Sequence, residues 1–127
     1  MNVRPGLLLA AGLASVTPAA THDRDPLRAF AGRVAGAPVR CLDAGRAGNP
    51  VALDPRTLVY RESARRIWRN DLPAACPGLD DDSIIVIELY GTGPCQGDRF
   101  HTIERSGGIP GPSCRLGSFV PYDKPKP

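Results

Sequence analysis

Short apolar runs separated by glycine, proline and acidic turns dominate the chain from Pro38 onward, and their spacing predicts strands more than helices. Thr57-Leu58-Val59-Tyr60-Arg61 and Arg66-Ile67-Trp68-Arg69-Asn70 read as a hairpin joined by the four residues Glu62 to Arg65. Period two puts Arg66 and Trp68 on one face of the second strand and Ile67 and Arg69 on the other. An arginine beside the indole can stack on it, for about 0.5 to 1 kcal/mol when exposed. Asp71 to Leu79 cannot extend that strand as a central one, because Pro73 and Pro77 lack the donors a ladder needs. A corner is expected there, with the side chains of Asn70 and Asp71 able to satisfy free amides. Ser83 to Tyr90 contains Ile84-Ile85-Val86-Ile87, apolar on both faces, and is expected as the central strand. Asp98 to Glu104 carries charges among its apolar residues and is expected in a partly solvated or edge position. Pro38 to Leu42, Val51-Ala52-Leu53 and Cys114 to Val120 complete the strands.

One helix is expected, from Pro26 to Ala35. Asp25 can cap it, proline suits its first turn, and Leu27, Phe30, Ala31 and Val34 fall at helical spacing before Gly36. The expected fold is a single all-β or β-rich α+β domain over residues 26–122, a small disulfide-bonded sandwich or barrel of five to seven short strands with one N-terminal helix. A tail follows over residues 123–127.

Residues 1–20 have the layout of a secretory signal peptide: a basic start at Arg4, an apolar run from Leu7 to Val16, and small residues at Ala19-Ala20. Residues 21–25 read as a mobile leader. The apolar run is shorter than the ~20 residues a helix needs to cross a bilayer. Residues 21–127 hold 15 basic and 13 acidic residues, a net charge of +2 that is too small to imply nucleic acid. Cys41, Cys76, Cys95 and Cys114 are separated by 35, 19 and 19 residues. That spacing fits neither a zinc site nor a Cys-x-x-Cys redox pair, so two disulfides in a periplasmic or secreted chain are expected, in any of three connectivities.

Several separated motifs resemble a family of small exported bacterial proteins of unknown function. They are Pro38-Val39-Arg40-Cys41-Leu42, Asp54 with Thr57-Leu58-Val59-Tyr60, Trp68-Arg69-Asn70-Asp71-Leu72, Cys76-Pro77-Gly78-Leu79, Cys95 with Asp98, and Cys114-Arg115-Leu116-Gly117-Ser118-Phe119-Val120-Pro121-Tyr122. The resemblance covers roughly residues 33 to 122. It implies an envelope protein with a compact β domain and brings no catalytic or binding residues. Members of the family differ in whether they have the second and fourth cysteines while retaining the first and third. The resemblance therefore implies Cys41 with Cys95 and Cys76 with Cys114.

Candidate chemistry is sparse. His101 has acids nearby in sequence at Asp98 and Glu104, but a regular strand turns Glu104 to the opposite face. Asp80-Asp81-Asp82 lacks the glycine and later bidentate acid of a calcium loop and reads as a solvated turn. Gly91-Thr92-Gly93 is not followed by a helix, so it is a turn and not a phosphate cradle. No catalytic residue, metal ligand or cofactor is assigned. The leading expectation is a non-enzymatic binding or structural domain that meets an envelope protein or an anionic glycan through Trp68, Arg66 and Arg69. The alternatives are an inhibitor of a cell-envelope enzyme, presenting the loop Ser106 to Ser113, and a small envelope hydrolase using His101.

Overall fold

The computed structural model describes Gly6, residues 12–17 and residues 26–127. The leader at 21–25, and the signal peptide apart from Gly6 and residues 12–17, lie outside the described residues. The strands are β1 (Val34–Ala35), β2 (Val51–Asp54), β3 (Thr57–Arg61), β4 (Arg66–Asp71), β5 (Ile84–Ile87), β6 (Arg99–Ile103), β7 (Cys114–Arg115) and β8 (Phe119–Asp123). They form two antiparallel sheets, one in the order β1-β8-β4-β3-β2 and one in the order β5-β6-β7. The fold is all-β, with two strands only two residues long.

Alternation along the strands decides which side chains meet. In the larger sheet Leu58 pairs with Asn70 and Asn70 with Phe119, a cross-strand row with 0 % exposure throughout. The Tyr60 and Phe119 rings contact edge to face at 5.5 Å. Phe100 of β6 and the inner side chains Ile85 and Ile87 of β5 join the same core from the smaller sheet, with Leu72, Cys76, Leu79 and Leu116 closing it from loops. Each fully buried large side chain contributes roughly 1.5–3 kcal/mol. Disulfides join Cys41 to Cys95 and Cys76 to Cys114, the pairing that the family resemblance implies.

The expected helix over Pro26 to Ala35 is absent. A single 3₁₀ turn, Pro26–Phe30, stands in its place. Gly32 adopts φ 69°, which breaks the helix, and Leu27 and Val34 are 58 % and 63 % exposed. Val34 and Ala35 pair instead with the edge of β8, and only Phe30 is buried, 4.7 Å from the Tyr122 ring. Pro38 to Leu42 makes two isolated bridges, Val39 with Phe119 and Cys41 with Cys95, in place of a continuous strand.

β5, expected at the centre, is an edge strand with Ile84 and Val86 facing outward. β6, expected in a partly solvated or edge position, is partly solvated on one face and paired on both sides. The charges on β6 sit on its outer face while Phe100 and Thr102 are buried beneath. The expected last strand, Cys114 to Val120, is split between the sheets. Leu116 keeps backbone bonds with Gly97 and Asp98, and Gly117 then turns its amide and carbonyl to the Asn70 side chain, each at 2.8 Å. A Cβ on Gly117 would strike the Asp71 carbonyl, so this crossing requires glycine. β8 then runs to Asp123, one residue into the expected tail. Phe119 exchanges its backbone bonds with Val39, so Pro121, two residues on, has its donor-less nitrogen on that same side and leaves the β4 ladder whole.

Candidate functional site

The three residues expected to bind a partner are divided between two faces. Arg66 lies over the Trp68 ring at 5.4 Å, as period two predicts, but both side chains are engaged within the chain. Arg66 donates two hydrogen bonds of 2.7 Å to the Asp123 carboxylate, and that guanidinium holds the carboxyl below its usual range. Trp68 Nε1 donates to Glu62 Oε2 at 2.7 Å, and Arg46 pairs with the other Glu62 oxygen at 2.8 Å. Trp68 thus forms one wall of a shallow groove of about 180 Å³ with Val39, Arg46 and Glu62. Arg69 lies on the opposite face, over Phe30 at 5.0 Å and paired with Asp71 at 2.9 Å.

The second region is a cleft at the open side of the sandwich, where the smaller sheet ends at β5. The loop over residues 43–50 forms one wall and is fixed at both ends. Leu42 and Ala44 bond to the carbonyls of Pro94 and Thr92 beside the Cys41–Cys95 disulfide, and Gly48 bonds to the Arg61 carbonyl. The same contact explains Gly91-Thr92-Gly93, since a Cβ on Gly93 would strike the Leu42 carbonyl. Ile85, Ile87 and Leu89 form the other wall, and between them lies a cavity of about 190 Å³. Tyr60 lines this cavity, 1 % exposed, with a buried hydroxyl that has no hydrogen-bond partner among the described residues. Burial pushes its phenol far above the ordinary value, and the Asp98 carboxylate pushes it further.

No family model, curated protein or solved structure matches this chain. The chemistry has to be read from the side chains alone. Among the residues lining the cleft Tyr60 alone is ionisable, and a phenol so far above neutrality neither takes nor gives a proton readily. The lining combines apolar side chains with two polar ones, Asn49 and Tyr60. Sequence reasoning passed over Tyr60 as a strand residue. Its place on the same face as Leu58 was readable, but its hydroxyl's isolation was not.

His101 sits half-buried on β6 opposite Val86, and its imidazole has no hydrogen bond or ion pair among the described residues. Asp98 accepts the Cys95 amide at 2.8 Å. Asp80 to Asp82 form a turn in which Asp80 and Ser83 bond each other and Asp82 pairs with Arg105 at 2.8 Å. Among the described residues no cluster of three or more His, Cys, Asp or Glu is placed to hold a metal ion. The loop between β6 and β7 presents Ile109, 91 % exposed, and the Cys76–Cys114 disulfide holds its far end. No helix among the described residues is long and apolar enough to cross a membrane, and two disulfides fit an oxidising compartment.

Proposed function

We propose that this chain is a non-enzymatic binding domain of the periplasm or the secreted space, and that it binds through the cleft beside Tyr60. The ligand group is neutral and mainly apolar, about the size of one aromatic ring, with one oxygen to meet the phenol. The observation that carries this reading is the cavity lined by Ile85, Ile87 and Leu89 together with Tyr60, whose buried hydroxyl has no partner among the described residues. Such a group costs about 1–3 kcal/mol unless something meets it, and a ligand oxygen that reaches it as the covering side chains give way removes that cost on binding. The Trp68 face carries less of the reading, because Asp123 and Glu62 already occupy the polar groups of Arg66 and Trp68. An envelope location agrees with the two disulfides and with the resemblance to exported proteins.

Tyr60→Phe separates the roles. Without ligand the variant should be more stable than the parent by about 1 kcal/mol, a rise of roughly 4–8 °C in Tm. Phenol should then raise the Tm of the parent more than that of the variant. A less stable Tyr60→Phe, with phenol acting equally on both, would remove the reading.

The same residue sets an alkaline limit. Because the folded-state pKa is raised, the unfolded chain ionises first above pH ~10 and stability falls as pH rises, by at most ~1.4 kcal/mol per unit. Urea midpoints between neutral and alkaline pH should show this fall in the parent and a smaller one in Tyr60→Phe.

A second reading, an inhibitor of a wall-degrading enzyme, is favoured by the exposed Ile109 on its anchored loop. It requires the protein to slow a muramidase acting on peptidoglycan and Ile109→Asp to lose that effect. Equal inhibition by both would exclude this loop.

A further inference from the structure

We propose that β5 pairs with β5 of a second copy, antiparallel about a two-fold axis at Val86, joining two three-stranded sheets into one of six strands. This inference goes beyond the cleft reading and does not depend on it. Among the described residues β5 has one neighbour, β6. Glu88 donates its amide to the Arg99 carbonyl, so by alternation Val86 and Ile84 also turn their backbone groups to β6. Ile85 and Ile87 turn theirs to the free edge, where they bond nothing among the described residues.

The other edges are guarded. β1 and β7 are two residues long, and β2 has a register shift between Ala52 and Asp54. β5 has no proline, lysine or bulge within Ile84–Ile87, and Ile84 and Val86 are 40 % and 37 % exposed on its outer side. Leu89 and Tyr90, 49 % and 77 % exposed, continue the apolar surface.

A strand that completes this edge must be apolar on both faces and offer free backbone groups two residues apart. β5 itself meets both requirements. With Val86 facing Val86 of the second copy, Ile85 and Ile87 exchange hydrogen bonds across the axis, which matches the groups left free. In that register Ile84 faces Glu88 and Asp82 faces Tyr90. The acidic turns of the two copies therefore lie at opposite ends, and no like charges oppose. The pairing uses the backbone of Ile85 and Ile87, while their side chains keep lining the cleft.

Sedimentation equilibrium of the oxidised protein, with amide hydrogen exchange measured across roughly a hundredfold dilution, tests the pairing. The expected result is a dimer, with exchange at Ile85 and Ile87 slowed about tenfold or more at the high concentration. Val86→Lys, which places two ammonium groups at the axis from an outward-facing position, should be monomeric with the parent's circular dichroism. If that variant does not fold, the parent's two amides decide alone. A monomer throughout, or a dimer in which Ile85 and Ile87 exchange as fast as in the monomer, overturns the proposal.

Discussion

Asn70→Leu should destabilise the protein by about 3–5 kcal/mol, although it replaces a buried polar side chain with an apolar one of similar size. Leucine would suit the surroundings, since Asn70 lies between Leu58 and Phe119 with 0 % exposure. The decisive groups belong to Gly117, whose amide and carbonyl are both satisfied by the Asn70 amide where the chain passes from β7 to β8. Removing that amide leaves a donor and an acceptor unpaired at a part-buried crossing, at about 1–3 kcal/mol each, which outweighs the apolar gain. Asn70→Asp keeps the acceptor but loses the donor and buries a carboxyl, so it should also be strongly destabilised. Urea midpoints of the three proteins measure this. An Asn70→Leu variant within 1 kcal/mol of the parent would show that the crossing does not need the amide.

Removing the Cys76–Cys114 disulfide should have an effect of the same order, about 3–5 kcal/mol on a chain-entropy model. The comparison with the other disulfide is more informative. Cys41 and Cys95 are 54 residues apart and Cys76 and Cys114 are 38, so loop entropy alone favours the former by only about 0.3 kcal/mol. Burial reverses the order, because Cys76 is 0 % exposed within the core and Cys41 is exposed. Cys76→Ala with Cys114→Ala should therefore lose more stability than Cys41→Ala with Cys95→Ala. Against a total of roughly 5–15 kcal/mol, the first pair of changes brings the fold close to its limit. Calorimetry of the two double variants gives the order, and the reverse order would mean that the corner at residues 71–79 is not held through Cys76.

Local chemistry was the legible part of this fold. The β3–β4 hairpin follows from period two and a four-residue connection, and so does the stacking of Arg66 on Trp68. The edge position of β5 was not legible. A run such as Ile84-Ile85-Val86-Ile87 looks alike whether both its faces are covered or it is an edge with an uncovered outer face. The break within Cys114 to Val120 depends on a side chain 47 residues away, and no local pattern marks it. The candidate site divides in the same way. That Arg69 turns away from Trp68 follows from alternation, but that Asp123, 57 residues on, takes up Arg66 does not. Tyr60 stood in the sequence as an ordinary strand aromatic, and its hydroxyl's lack of a partner is a property of the assembled sheets.

Methyl-resolved NMR with phenol and benzene as paired probes tests the binding cleft most directly. On this account phenol shifts the methyl resonances of Ile85, Ile87 and Leu89 and binds about fivefold to tenfold more tightly than benzene, an advantage lost in Tyr60→Phe. Shifts elsewhere with these methyls unmoved, or equal affinity for the two probes in the parent, would contradict it.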